Sequence, residues 1–465
     1  MLFSSTVFIY IFLPAVLLGY YVMLRSGRAR NLLLLAASLL FYAWGEPVYV
    51  FLMLASIAAN FGFGLALDKA RHKRLWLVRC VAFNLGILFY FKYLNFAVDN
   101  LNALFGTAIQ APEVRLPIGI SFFSFQAMSY GIDVYRGTAK VQRNPLNLGL
   151  YISFFPQLIA GPIVRYNTIA EQIERRSVTL EGFQAGVCRF VQGFAKKIIL
   201  ANNLALAAEK AFSLAGAGEI TTAMAWLGSI AYTFQIYFDF SGYSDMAIGL
   251  GRMFGFTFEE NFNYPYLSRS VSEFWNRWHI SLGHWFRDYV YVPMGGSRVG
   301  KGKLLRNLFT VWLLTGVWHG AAWQFIVWGL GYGVIISLEK LSGFPKHLKS
   351  RPVAALYGVV TVLIVNAGWV LFGAQDLPAA LTQLKAMLGF GAASDLTAAF
   401  YWSEDWPLFL LAALFSTPLV KRALARIPEG RGRQLASAAV ISALFLISVS
   451  YLAMGSHNPF IYFTF

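Results

Sequence analysis

Long apolar runs separated by short basic segments dominate the pattern of hydrophobic and polar positions. A run of about 20 apolar residues is long enough to span a bilayer. The pattern therefore predicts an all-α, multi-pass membrane protein. We expect membrane segments at residues 6–24, 31–44, 48–67, 80–98, 116–135, 183–212, 222–254, 307–338, 353–373, 406–420 and 434–454.

One apolar run, residues 146–163, departs from the helical pattern. Basic residues bracket it at both ends, and it contains Pro156 and Gly161-Pro162. A broken backbone survives in a membrane only where it is buried in protein or lines a cavity. The run therefore predicts a re-entrant element.

The basic segments between the runs predict how the chain is oriented. Lysine and arginine are enriched in cytoplasmic loops, so we expect residues 25–30 and 421–433 in the cytoplasm. Residue 1, the acidic segment 374–405 and a tail at 455–465 then lie outside. We expect one membrane domain over 1–465, in which residues 258–306 form a cytoplasmic or interfacial basic-aromatic segment.

Composition supports the membrane class. Of 465 residues, 57% are hydrophobic and 13% are charged, against about 25% charged residues in soluble domains. The net charge of +16 would suit a nucleic-acid partner, but its placement beside apolar runs indicates a membrane instead. Two distant cysteines and six scattered histidines show no disulfide or metal spacing, and there is no phosphate-binding loop typical of ATPases.

The first candidate for chemistry is His319, because the run 307–338 holds this histidine and no charged residue. Ionisable groups at membrane depth usually face a bundle interior or a wet cavity. A histidine can also take and return a proton near neutral pH. The alternative is a buried histidine that bonds a neighbouring helix.

A second candidate, His279, lies in the aromatic segment 270–291. Ser270 or Ser272 can cap a helix there, and Glu273 with Arg277 forms a favourable i,i+4 pair. We expect one interfacial or half-buried helix across the segment, with His279 on a face of its own. An interfacial belt of Trp and Tyr is the alternative, and it explains the aromatic residues well but does not explain His279.

Two carboxylates, Asp239 and Asp245, interrupt the apolar run 235–251. An aspartate costs about 3 kcal/mol at the bilayer centre on insertion scales, so a compensating partner is required. We favour a structural ion pair with Arg or Lys over a catalytic role. The basic residues Arg189, Lys196 and Lys197 are expected to face a headgroup or a cavity.

Several longer motifs resemble one family. The chain contains W-x-R-W-H-I-S-L (275–282), R-D-Y-V-Y-V-P-M-G-G (287–296) and V-W-H-G-A-A-W (317–323). These motifs resemble the membrane-bound O-acyltransferases, and most closely their alginate O-acetyltransferase branch. Further similar stretches lie at residues 39–47, 90–96, 116–137, 154–165 and 237–251.

The resemblance implies a ring of tilted helices around a central funnel in a bacterial cytoplasmic membrane. It implies that His319 is the catalytic histidine and that His279 is the second histidine of the family. It also implies that an acyl group, usually acetyl, moves from a cytoplasmic thioester such as acetyl-CoA to an exopolysaccharide or cell-wall glycan. It implies no metal and no tightly bound cofactor, and it implies a periplasmic or extracellular partner acyltransferase. We take four residues as candidates for lining the substrate path: Trp318, Trp278, Asn276 and Asp239.

The sequence ends in PFIYFTF at 459–465. This resembles the F-x-Y-x-x-F tail of a small partner peptide in D-alanylation systems, and it makes Tyr462 a candidate acyl relay. An aromatic interface tail is the alternative. Two other functions remain open at this point: D-alanyl or other acyl transfer to a cell-envelope polymer, and transport of a glycan or lipid.

Overall fold

A computed structural model describes residues 1–112, 114–348, 350–428, 430–455, 458 and 460–461. The prediction of an all-α, multi-pass membrane protein is confirmed: throughout these ranges the regular structure is helical. Its single β-type pairing is an isolated antiparallel bridge between Phe262 and Trp278.

The described residues form two compact units. The first combines residues 1–190 with 243–259, and the second combines residues 191–242 with 260–465. The long helices α10 and α12 each contribute to both units. In chain order, the helices through α12 are α1 (Leu13–Val22), α2 (Gly27–Gly45), α3 (Tyr49–Lys69), α4 (Lys73–Leu88), α5 (Leu94–Phe105), α6 (Ile120–Arg136), α7 (Pro145–Ser153), α8 (Phe155–Leu158), α9 (Tyr166–Glu174), α10 (Leu180–Ala195), α11 (Asn202–Ala217) and α12 (Thr222–Met253).

The remaining helices belong to the second unit. Each unit also contains two short π-helical stretches that continue a neighbouring helix: Phe8–Phe12 and Phe89–Tyr93 in the first, and Lys196–Ala201 and Arg287–Tyr291 in the second. The helices are α13 (Val271–Arg277), α14 (Ile280–Phe286), α15 (Lys301–His319), α16 (Trp323–Ser342), α17 (Phe344–His347), α18 (Arg351–Gly373), α19 (Leu377–Met387), α20 (Leu396–Phe415), α21 (Leu419–Ala425) and α22 (Arg431–Ala453).

The predicted re-entrant run is broken in the structure. Helix α7 ends at Ser153, α8 covers only Phe155–Leu158, and an irregular stretch follows to the start of α9. Every residue from 148 to 164 is buried. This burial within protein is what a broken backbone requires in a membrane.

Six helical segments of the described chain are long and apolar enough to cross a membrane. A seventh is added if α20 and α21, which meet at a bend of 63°, count as one span. The six segments are Tyr49–Lys69, Lys73–Phe105, Leu180–Ala217, Trp323–Ser342, Arg351–Gly373 and Arg431–Ala453.

The prediction of one membrane segment at 307–338 is wrong. The chain breaks after His319, and α15 and α16 fold back on each other as an antiparallel hairpin. A Cβ added to Gly329 would lie 2.5 Å from the carbonyl oxygen of Trp312, and one added to Gly333 would lie 3.3 Å from the Cβ of Trp312. Glycine permits this approach because it lacks a side chain. The hairpin places His319 at its tip.

Candidate active site

His319 lies at the last residue of α15 and is 5% exposed. Aromatic rings surround its imidazole. The ring centroids of Trp318, Phe372 and Trp328 lie 4.9, 5.0 and 5.1 Å from that of His319, all in edge-to-face geometry. These contacts fix the ring orientation, and they exclude bulk water from most of the imidazole.

Two glycines of the hairpin set the position of His319. Gly316 lies one helical turn before it, and a side chain there would collide with the carbonyl oxygen of Phe325. Gly320 follows it, and a Cβ there would collide with the Phe325 ring. In the structure, the missing side chain of Gly320 lets α16 approach the catalytic candidate.

His279 does not lie within a continuous helix, so the prediction of one helix across 270–291 is wrong. Helix α13 ends at Arg277 and α14 starts at Ile280, and His279 between them has φ 46° and ψ 52°. This left-handed conformation is uncommon in residues other than glycine, although asparagine, aspartate and histidine adopt it more often than most. Strained backbone of this kind clusters at functional sites, where the surrounding structure holds it in place.

Asn261 holds His279 in this conformation. The Oδ1 atom of Asn261 accepts hydrogen bonds from the backbone N–H of Ser281 at 3.2 Å and from the Ser281 hydroxyl at 2.9 Å. The Nδ1 atom of His279 lies 3.2 Å from the same oxygen. The backbone N–H of Ile280 also donates to the Asn261 carbonyl oxygen at 3.0 Å.

These contacts define a tautomer of His279. A backbone N–H can only donate, so the side-chain atom that it meets on Asn261 is the oxygen and not the amide nitrogen. The Nδ1 atom of a neutral His279 must then carry the proton that it shares with Oδ1. The Nε2 atom keeps its lone pair, as a general base requires. Burial also lowers the pKa of the His279 imidazole, because leaving water disfavours the charged form.

Helix α13, which leads to His279, is fixed at its first turn. The buried Glu339 carboxylate accepts the backbone N–H groups of Val271 and Ser272, both at 2.8 Å. The predicted Ser270 cap is confirmed, since its hydroxyl accepts the N–H of Glu273 at 3.1 Å. The predicted Glu273–Arg277 pair is also confirmed, at 2.7 Å.

Trp318 is the residue that joins the two histidines. Its ring contacts His319, and its centroid also lies 5.9 Å from that of His279. Trp278 is buried in the same aromatic region, 4.8 Å from Trp369 by centroid. Asn276 is exposed, and within the described ranges no hydrogen bond or ring contact joins it to either histidine. The roles of Trp318, Trp278, Asn276 and Asp239 in lining a substrate path stay predictions.

The two aspartates of α12 form ion pairs, as the sequence analysis favoured. Asp239 lies 2.7 Å from Lys197, and both side chains are almost completely buried, at 2% and 3% exposure. In the first unit, Asp245 lies 2.6 Å from Arg189. The expectation that Lys197 faces a headgroup or a cavity is wrong, because its side chain is 3% exposed and paired with Asp239. For Arg189, which is 28% exposed, and for Lys196 it stays a prediction.

The Lys197–Asp239 pair also holds the end of the chain. The second carboxylate oxygen of Asp239 accepts the backbone N–H of Ile461 at 2.9 Å. The ring of Phe460 lies 5.8 Å from the Lys197 ammonium, and Phe460 and Ile461 are 4% and 7% exposed. Tyr462 lies outside the described residues, so its relay role and the placement of the tail outside stay predictions.

Sequence reasoning missed Asn261 and Glu339. Asn261 lies in a loop, 18 positions before His279, and a single asparagine there gives no periodic signal. Glu339 follows an apolar run and looks like an ordinary boundary charge. Within the described part of the chain, no group of three or more histidine, cysteine or carboxylate side chains could hold a metal ion.

Comparisons with known proteins give a consistent result. The model of the membrane-bound O-acyltransferase family matches residues 138–345. The chain is 41% identical to the "Probable alginate O-acetylase AlgI" of Pseudomonas putida, over 100% of both chains. It is 32% identical to the peptidoglycan O-acetyltransferase of Helicobacter pylori, over 100% of this chain and 98% of that one. It is 31% identical to the teichoic acid D-alanyltransferase of Bacillus subtilis, over 56% of this chain and 69% of that one.

Proposed function

Because the chain belongs to the membrane-bound O-acyltransferase family and is an acyltransferase, we propose that it acetylates hydroxyl groups of an exopolysaccharide or cell-wall glycan. The observation that carries the proposal is the pair of buried histidines joined by Trp318. The relatives named as O-acetylating enzymes cover this chain from end to end, and they support acetyl as the acyl group.

The proposed reaction moves one acyl group from sulfur to oxygen. His319 removes the proton from an acceptor hydroxyl as its oxygen attacks the thioester carbonyl carbon. The carbon–sulfur bond then breaks, and the thiolate recovers a proton from the imidazolium. General base catalysis of this kind contributes about 10²- to 10⁴-fold. The aromatic wall around His319 keeps out water that would otherwise hydrolyse the thioester.

The donor and the orientation are part of the proposal. We propose acetyl-CoA, or another acyl-carrier thioester, as a cytoplasmic substrate, with no tightly bound cofactor. The α15–α16 hairpin supports this orientation, because it returns the chain to the side where it began. The basic stretch after α16 then shares the cytoplasm with residues 258–306. Helix α18 crosses outward, and the acidic segment 374–405 lies outside.

On this orientation, the last helix α22 brings the chain end to the outer side of a bacterial cytoplasmic membrane. We propose that a periplasmic or extracellular acyltransferase collects the acyl group there, and that Tyr462 relays it. A tyrosine phenol has an ordinary pKa of about 10, so it needs a base or a polarised donor to react.

The relay is tested by Tyr462→Phe, which removes the phenol oxygen and keeps the ring. We expect loss of glycan acetylation with unchanged thermal stability, while slow hydrolysis of acetyl-CoA continues. Normal acetylation by this variant would disprove the relay, and transfer from the thioester to a partner or acceptor near His319 would then have to be direct.

The proposed function itself is tested with purified full-length protein in liposomes. We expect acetyl-CoA to be hydrolysed slowly, or its acetyl group to pass to a partner, without ATP or an ion gradient. Movement of an unmodified glycan or lipid that depends on a proton or sodium gradient would indicate a transporter instead. Preference for a D-alanyl thioester over acetyl-CoA would favour the D-alanylation alternative.

A further inference from the structure

A positively charged cavity of about 590 Å³ opens beside α13 in the second unit. Three arginines line it, Arg269, Arg277 and Arg422, against one carboxylate, Glu273. Arg277 and Glu273 form an ion pair at 2.7 Å and largely neutralise each other. No carboxylate of the described chain lies within ion-pair distance of the exposed Arg269 and Arg422 guanidinium groups. The cavity therefore keeps two positive charges.

The cavity adjoins the segment that carries His279. Two lining residues, Asn263 and Arg277, are paired by a backbone hydrogen bond of 3.0 Å. Asn261 and His279 follow on the same two paired segments, beyond the Phe262–Trp278 bridge. Arg277 in the cavity wall and His279 are two residues apart, and two residues span at most about 7 Å between their Cα atoms.

Backbone strain links the cavity to the candidate active site. Tyr264 and His279 are the two non-glycine residues of the described chain with positive φ, and both values are 46°. Tyr264 lines the cavity. A left-handed tyrosine is unfavourable and persists only where the surrounding structure fixes it. The loop is thus held in one shape on both sides of the bridge.

We propose that this cavity binds the phosphate groups of the thioester donor, an inference that rests on the acyl-transfer function proposed above. Guanidinium groups present a rigid fork of N–H donors that matches phosphate oxygens. Acetyl-CoA carries its phosphates at one end and its thioester at the other end of a flexible arm. Anchoring the phosphates at Arg269 and Arg422 leaves that arm to extend toward the histidines.

Direct binding tests the cavity without any acyl transfer. Adenosine 3′,5′-bisphosphate, the phosphate-bearing end of coenzyme A, is titrated into the full chain in detergent. We expect the double variant Arg269→Gln/Arg422→Gln to weaken binding about tenfold, as expected for lost charge-assisted bonds. The matched control is Arg426→Gln, an exposed arginine just beyond α21 and outside the cavity. Failure of the wild-type protein to bind the bisphosphate would overturn the proposal.

Kinetics with two donors show whether the bound phosphate belongs to the substrate. We expect the double variant to raise KM for acetyl-CoA about tenfold while kcat stays within about twofold of wild type. KM for acetyl-pantetheine, which has no phosphate, should stay unchanged. Equal effects on both donors, or no effect on either, would rule out the assignment.

A phospholipid headgroup is the other source of phosphate, and vesicle composition separates the two. Activity is compared in phosphatidylcholine vesicles with and without phosphatidylglycerol. We expect the acetyl-CoA defect of the double variant to be the same in both. A defect that appears only with phosphatidylglycerol would show that the cavity binds a lipid headgroup and not the thioester donor. If the wild-type protein binds the bisphosphate but transfers no acetyl group, the cavity assignment stands and the proposed function fails.

Discussion

Two buried polar clusters of the second unit differ in how their charges are compensated. Lys197 and Asp239 pair at 2.7 Å, and Asp239 also accepts the backbone N–H of Ile461. His279 and His319 lie instead among aromatic rings, and Nδ1 of His279 lies 3.2 Å from the neutral side chain of Asn261. Both clusters are almost inaccessible to water, so burial alone does not separate them.

The difference teaches which cluster can do chemistry. A buried ion pair with its remaining oxygen bonded has its charges fixed by mutual attraction, and a change of protonation would break it. An imidazole that meets a neutral amide, as His279 does at Asn261, can gain and lose a proton without breaking an ion pair there. We therefore assign anchoring to the Lys197–Asp239 cluster and proton transfer to the histidine cluster.

The sharpest test of this division is His319→Ala. We expect acetylation of the surface glycan to fall by at least about 10²-fold, while protein level and membrane insertion remain normal. His72→Ala is the matched control, because His72 is exposed in the first unit. His279→Ala should also be impaired. Near-normal acetylation in a well-expressed His319→Ala strain would refute the assignment of chemistry to this cluster.

The opposite pattern is expected for Lys197→Met. Removing one partner of a buried pair leaves an uncompensated charge, which costs about 3–5 kcal/mol of unfolding free energy. The loss should appear as lower abundance and a lower midpoint of thermal unfolding in detergent. The double variant Lys197→Met/Asp239→Leu should recover much of it. If Lys197→Met keeps its stability but loses activity, the Lys197–Asp239 pair takes part in catalysis and is not only structural.

Asn261 provides a test of the tautomer. Asn261→Leu removes the oxygen that fixes Nδ1–H of His279, and we expect a fall in kcat of at least about tenfold. Asn261→Asp keeps an acceptor and adds a negative charge, which raises the pKa of His279. If neutral His279 is the active form, the acidic limb of the pH–rate profile then moves to higher pH. A purely structural Asn261 would lower stability in both variants without moving that limb.

The smallest effect is expected at Trp318, which touches both imidazoles. An aromatic contact contributes about 0.5–1.5 kcal/mol beyond its buried area. Trp318→Phe retains a ring and should lower kcat about twofold, whereas Trp318→Leu should lower it about tenfold. Equal activity of the two variants would show that Trp318 only fills space.

The ion pairs could be predicted from the sequence because an aspartate in an apolar run requires a cation. Most membrane helices could also be predicted, since apolar runs flanked by basic segments leave few alternatives. Helix α18 begins at Arg351 and ends at Gly373, against a predicted segment of 353–373.

The geometry of the candidate site could not be predicted in the same way. The run around His319 has no charge or proline to mark a break, and the turn depends on contacts between Gly316, Gly320 and α16. The bend at His279 depends on Asn261, a distant residue with no recognisable spacing. The turn at His319 and the bend at His279 both depend on tertiary contacts, so the hydrophobic pattern of either segment alone does not predict them.

Lys197 and Asp239 also bear on biosynthesis. Lys197 is synthesised as part of one helical segment, and its partner Asp239 is synthesised later, as part of α12. Each charge alone costs about 3 kcal/mol at the bilayer centre on insertion scales. The two helices are therefore expected to leave the insertion machinery together, with the earlier one retained until α12 has been synthesised.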